Sequence, residues 1–405
     1  MLTRNVTLLG LSQILALTGT TIVIFTGPII GTELAPIPTL ATLSNAILVV
    51  GVALFTIPAS MIMRRFGRRF GFVSSAAMAC LGAIGAAYAI SHQNFALFCA
   101  MMILIGGNNA FVQQYRFAAA ESVPSGQVGR AVSLVLLAGV IGGFLGPEIA
   151  RQTKDLLPYG EYTGSFVALS LIYILVILTL AFLPSVRAKD ERYLGAERPL
   201  AAILAQPRYI VAVFSGVVAY GVMSLLMTAT PISMHTLHGH SLQSTAWVIQ
   251  SHVIAMFLPS LITGSLITRM GVPRVMGLGI LAMFACVGLD LAGTQLMNYW
   301  VALVLLGVGW NFLFVGGTVL LTQSYYPPER FKAQGFNDFT VFGVQALASL
   351  SAGVLVFSTS WGVINLITLP LLLTVLIAVY LISRQPIPQP VQDTRTAIQT
   401  ASSQD

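Results

Sequence analysis

Charge is what this sequence has least of. Only 8% of its 405 residues are Asp, Glu, Lys or Arg, against about 25% in a soluble globular chain. So few charges cannot clothe a water-soluble surface around a chain that is 56% hydrophobic. Cysteine is scarcer still. Cys80, Cys99 and Cys286 lie in or beside apolar runs, and an odd count so placed gives no disulfide framework. No phosphate-cradling glycine loop, catalytic triad or metalloprotease helix is present, which excludes a nucleotide-driven pump and leaves no basis for an enzyme or a cofactor. The net charge of +7 is spread over short connectors, without the basic patch and interleaved aromatics of a nucleic-acid surface, so no nucleic-acid partner is expected. A cleavable leader is not expected either. The first apolar run starts near Val6 after a single Arg4 and is too long for a signal-peptide core.

What is abundant is long apolar runs, with a mean hydropathy of +0.85. A bilayer core takes about 20 apolar residues per helix. The sequence predicts an all-α membrane protein with spans near 6–30, 40–63, 71–90, 95–119, 131–150, 164–183, 209–230, 244–267, 274–293, 299–322, 335–357 and 361–383. With both termini on one face, 17 of the 20 Lys and Arg residues fall on that face, Arg151 and Lys154 fall on the other, and Arg116 lies within a span. The positive-inside rule makes the terminal face cytoplasmic. The expected setting is the cell (inner) membrane, with the lipid bilayer as partner and a monomeric chain.

The two halves resemble each other at an offset of about 204 residues. Arg65 and Gly67 in Arg64-Arg65-Phe66-Gly67-Arg68-Arg69 correspond to Arg269 and Gly271. Gly106-Gly107-Asn108 in the fourth span is paired with Gly309-Trp310-Asn311 in the tenth. The sequence therefore divides into a six-helix bundle at 1–183, a cytoplasmic linker at 184–208 holding Pro184, Pro199 and Pro207, a second bundle at 209–383, and a tail at 384–405 expected to be disordered. Parallel halves of this kind place a cavity between them near the bilayer midplane.

On these features the chain resembles the major facilitator superfamily. The twelve-span plan carries the resemblance, together with the loop at Arg64 to Arg69, which is similar to the family's Gly-x-x-x-Asp-Arg-x-Gly-Arg-Arg signature. Two positions depart from it: Ser60 stands for the first glycine, and Arg64 stands for the aspartate that helps lock the family's outward-facing state. The resemblance implies alternating access by a rocking of two halves, with spans one, four, seven and ten lining the cavity. Gly139, Gly142, Gly143 and Gly146-Pro147 resemble a pattern of family exporters, and equally suit close helix packing. Met102 stands near the arginine of proton-coupled exporters. The phrases from Gln114 to Glu121 and from Glu329 to Asp338 are similar to a bacterial subgroup associated with riboflavin uptake, which implies a vitamin as solute, although no residue in them is specific to a flavin.

Polar side chains inside spans are costly unless paired or functional. Gln13, Asn108, Asn109, Tyr220, Trp310 and Asn311 are the candidate substrate contacts, with amides for hydrogen bonding and rings for a planar solute. The amides serve equally well as interhelical glue. Arg65, Gly67, Arg68, Arg116, Glu121, Arg269, Gly271 and Asp338 are candidates for gating, with Glu121 or Asp338 as partner for Arg116. Glu148 and Asp290, near the outer ends of their spans, are candidates for proton coupling or for simple contact with water. His235, His238 and His240 fall in an outer loop, without the regular spacing of a metal site. The function expected is a secondary or facilitative carrier of a small polar or aromatic solute. The alternatives are a multidrug or metabolite exporter and a non-transporting membrane sensor or assembly protein.

Overall fold

The computed structural model describes residues 3–37, 40, 43–184 and 197–385. Most of the linker and nearly all of the tail therefore lie outside the described residues. Twelve helices are long and apolar enough to cross a bilayer: α1 (Arg4–Leu34), α2 (Leu43–Phe66), α3 (Arg68–Ser91), α4 (Phe95–Ala120), α5 (Ser125–Thr153), α6 (Thr163–Ala181), α7 (Pro207–Leu237), α8 (Gln243–Met270), α9 (Val272–Ala292), α10 (Leu296–Thr322), α11 (Pro327–Ser358) and α12 (Trp361–Ser383). A helix bonds its own backbone groups, which is what hydrocarbon demands of a spanning segment.

The helices form two bundles with separate cores. Phe72, Phe98, Phe166 and Tyr173 are buried in the first, and Tyr209, Leu303, Leu313 and Val375 in the second. Exposed Leu, Ile and Phe side chains, such as Leu81, Leu171, Leu281 and Leu371, coat the outside, as expected where lipid replaces water. The repeat reaches down to single dihedrals. Gly67 joins α2 to α3 at φ 87°, and Gly271 joins α8 to α9 at φ 85°. A Cβ at either position would be strained.

Helix ends depart from the hydropathy reading where polar groups find partners. The eleventh span starts at Pro327 instead of 335, because Glu329 is fully buried there and held by Arg198 at 2.6 Å. The seventh runs on to Leu237 through a π-helical turn over Ile232–Leu237. That turn takes in His235, which the sequence placed in a loop.

Every described hydrogen bond between the two bundles lies toward the face that carries the termini. Two close approaches of backbone support them. A Cβ on Gly264 of α8 would stand 2.7 Å from the Arg130 Cα of α5, and one on Gly335 of α11 would stand 2.5 Å from the Ser60 Oγ of α2. Ser60 therefore fills the space that Gly335 leaves. The small-residue contact is kept, with the glycine on the opposite helix. Substituting Gly264→Leu should push α8 off α5 and lower the population closed on the terminal face, seen as faster labelling of a cysteine placed at Gly129. Unchanged labelling would show that this approach does not hold the halves.

Candidate functional site between the halves

The centre of the molecule is built from a ring cluster on one half and charged groups reaching it from the other. Tyr220 of α7 makes edge contacts with Trp310 and Phe314 of α10 and Phe342 of α11, with centroids 5.2, 5.0 and 5.2 Å apart. Trp310 and Phe314 lie one helical turn apart and stack at 5.0 Å, and Phe257 of α8 closes the cluster against Trp310. Trp310 is 1% exposed, yet its indole Nε1 has no acceptor. Such a buried orphan donor is rare and calls for a functional or structural reason.

Arg116 of α4 lies over the Phe314 ring at 4.4 Å and joins the halves. Its Nη2 donates to Asp338 Oδ1 of α11 at 2.6 Å, and both side chains are almost wholly buried. Gln114 Nε2 donates to the other carboxylate oxygen at 2.6 Å and Asn337 Nδ2 to the first at 2.9 Å. A charge in this setting is tolerable only when paired and hydrogen-bonded. Asp338 has three such donors.

A second layer lies nearer the terminal face. Arg68 is 4% exposed and donates to both Glu121 oxygens, at 2.6 and 2.9 Å, and to Gln334 Oε1 of the other half at 2.7 Å. Gln334 Nε2 returns a bond to Glu121 at 2.9 Å. Burial alone would raise the Glu121 pKa. The neighbouring Arg68 guanidinium outweighs it and holds the carboxyl below the usual 4.5. A third layer is exposed. Glu197, in the linker, receives Arg64 at 2.9 Å and Lys332 at 2.5 Å, so the linker supplies the acid that the Arg64 loop lacks. The Lys332 hydrogen bond is the first cause that lowers the Glu197 pKa.

The sequence profile of the Major Facilitator Superfamily matches residues 9–227 and again 212–403. The chain belongs to the major facilitator superfamily. It is 38% identical over 380 residues, 93% of this chain and 95% of the relative, to the riboflavin transporter RfnT of Brucella anthropi. Among solved structures, the human organic anion transporter MFSD10 superposes with a TM-score of 0.76 at 14% identity, covering 93% of this chain and 99% of that one. A bacterial homologue of the iron transporter ferroportin, in its outward-facing state, superposes at 0.73 and 13% identity, covering 94% and 100%. At such identities these two show the fold alone. As a superfamily member, the chain is a multi-pass membrane transporter of a small solute.

The structure brings some of the expected residues of this transporter together and separates others. Tyr220 and Trp310 meet directly. Arg116 takes Asp338 as its partner, while Glu121 takes Arg68. Asn109 Oδ1 accepts from Thr20 of α1 at 2.8 Å, and Gln13 of α1 is buried. Asn108 and Asn311 do not occupy equivalent places, contrary to the pairing read from the sequence. The Asn311 amide is spent on Thr263, Ser260 and the Met256 carbonyl of α8, at 2.6–2.7 Å. Asn108 is fully buried with neither amide atom partnered. It shares a helix side with Phe111 and Leu104, which pack on Gly71 and Gly82 of α3. One residue turns a helix by about 100°, which is enough to change the neighbour.

Arg65 lies over the Phe66 ring, and Arg269 is exposed on the terminal face. Glu148 is about half exposed and paired with Arg151 at 2.7 Å, whereas Asp290 is 2% exposed and borders a cavity at the outer end of α9. The α5 glycines serve packing: a Cβ on Gly142 would stand 2.6 Å from the Ile14 carbonyl of α1. The histidines diverge to separate carbonyls, His235 to that of His240, His238 to that of Ser233 and His240 to that of Thr294. Phe314 was legible as a ring one turn from Trp310. Nothing in the sequence ties Glu197 to Arg64.

Replacing Asp338 with Ala strands the Arg116 charge and should cost about 3–5 kcal/mol, read as a fall in the thermal midpoint of the purified protein. A midpoint unchanged from wild type would show that Arg116 is not left as an uncompensated buried charge. The carboxyl of Glu121 is depressed in the fold, so its contribution is present above the unfolded value and is lost as pH falls through the folded one. The midpoint should therefore drop below pH 4.5, and Glu121→Gln should flatten that drop.

Proposed function

We propose that this transporter carries a planar heteroaromatic solute of the flavin type inward, riboflavin being the first to test. The observation that carries the reading is the orphaned Trp310 N–H within a cluster of five rings at the centre of the molecule. An isoalloxazine presents two flat faces for those rings and an edge of alternating carbonyl acceptors and an imide donor. Trp310 Nε1 can donate to a carbonyl of that edge, and the amides of Asn109 and Gln113 on α4 offer complementary donors and acceptors. The hydroxylated side chain of the solute would lie toward Gln13 and Thr20. The name borne by the relative at 38% identity supports the same solute class.

The terminal face is cytoplasmic on this reading, because 17 of 20 Lys and Arg residues lie there and positive loops stay inside. The described conformation, latched on that face, then faces outward. A solute taken up between the rings competes for the space in which the halves meet and favours their rocking. Gln13, Asn109, Tyr220 and Trp310 act as substrate contacts, Arg68, Arg116, Glu121 and Asp338 as the latch, and Gly67 and Gly271 as turns that carry rigid helix pairs.

Reconstituted in liposomes, the protein should show saturable uptake of radiolabelled riboflavin. Trp310→Leu should weaken it about tenfold, the combined effect of a lost stack and a lost hydrogen bond. Flux equal to that of empty liposomes would reject the solute. Normal uptake by Trp310→Leu would reject the site.

A further inference from the structure

A second candidate site lies in the other half of the membrane from the latch. A cavity of about 400 Å³ opens among the last turn of α7, the α9–α10 turn and the α11–α12 turn, with His238, Asp290, Thr294, Phe357 and Trp361 in its lining. Asp290 is 2% exposed. Its Oδ1 has no hydrogen-bond partner, and its Oδ2 has only the Cys286 thiol at 3.8 Å, a weak donor. Among the described residues, no fixed cation of this half is near it. The Lys and Arg residues of α7–α12 (Arg208, Arg269, Arg274, Arg330 and Lys332) all sit at the terminal-face ends of their helices. Asp290 is 18 residues along α9 from its start at Val272, about 27 Å of helix.

Two aromatic rings, Phe357 and Trp361, share the lining of this cavity with Asp290. Trp361 is 3% exposed and lies 5.4 Å from the Tyr299 ring, and Phe357 lines the mouth. His238 is committed through Nδ1 to the Ser233 carbonyl at 2.8 Å, with the Tyr299 hydroxyl at 3.1 Å. An unpaired buried acid among rings is the chemistry that recognises an organic cation: the acid gains the counter-charge it lacks, and ring faces attract an ammonium. The space is too large for a bare metal ion, and among the described residues no set of His, Cys, Asp or Glu converges to hold one.

We propose that this cavity binds a small organic ammonium from the aqueous phase opposite the terminal face, its nitrogen at the Asp290 carboxylate and its apolar body against Trp361 and Phe357. The cavity lies wholly within the second bundle. Its occupancy is therefore independent of which solute crosses between the halves.

The full-length purified protein in lipid nanodiscs, titrated calorimetrically with 2-phenylethylammonium chloride, tests this, with 2-phenylethanol as the uncharged twin. Saturable binding of the ammonium with little binding of the alcohol is expected. Asp290→Asn should weaken the ammonium about tenfold or more, and Trp361→Leu should weaken it severalfold. Equal binding of ammonium and alcohol, as a proton held on Asp290 would produce, overturns the proposal, and so does unchanged affinity in Asp290→Asn. Should that variant fail to fold, the preference of the wild-type protein for the charged twin decides the matter alone. Riboflavin uptake plays no part in this readout, so failure here and failure of the solute assignment are separate results.

Discussion

A buried charge in a low-dielectric interior must find its counter-charge, and in this protein it finds it on the other half of the molecule. Arg116 belongs to the first bundle and Asp338 to the second. Neither has an opposite charge of its own bundle to turn to at that depth. The energy that makes each residue costly alone thus becomes an energy that draws the halves together on one side. The remaining cross-half groups are graded outward from that pair: Arg68, Glu121 and Gln334 nearly buried, then Arg64, Glu197 and Lys332 in contact with water. The inner pair is dry, so either charge without the other would be costly. The outer bridge is individually weak because water screens it.

The family signature departs at Arg64, and the basic residue there has an acidic partner from outside the loop. The signature's acid is missing from the α2–α3 loop, and Glu197 arrives from the linker between the bundles. The linker thus contributes an ion-pair partner to both bundles. The second departure, Ser60, is matched by Gly335 across the interface. At both departures the residue present has a partner of its own: Arg64 pairs with Glu197, and Ser60 faces Gly335.

Most of the fold was legible because the bilayer imposes a simple rule on sequence, that twelve apolar runs make twelve spans. The repeat at Gly67 and Gly271 was legible because positive φ leaves few alternatives to glycine. The site was only partly so. Tyr220 and Trp310 announced themselves as aromatic residues at midspan, and Asp338 as an acid where acids are rare. The two asparagines paired by sequence meet different surroundings because helical phase is not visible in a short motif: the Asn311 amide is bonded to α8, and the buried Asn108 amide has no partner. Glu148 and Asp290 were candidates for proton coupling or contact with water on the same ground, and the structure leaves one half exposed and the other buried, since position along a span says little about which side of a helix is covered.

The central claim is that dry ionic pairing between the bundles keeps one face closed. Spin labels at Arg69 on α3 and Arg274 on α9, both on the terminal face, measure that closure by double electron–electron resonance in nanodiscs. The account predicts one short distance in otherwise wild-type protein, and a longer, broader distribution when Asp338→Asn and Glu121→Gln are introduced together. An identical distribution in the two proteins would contradict it, because the halves would then be held by something other than these charges.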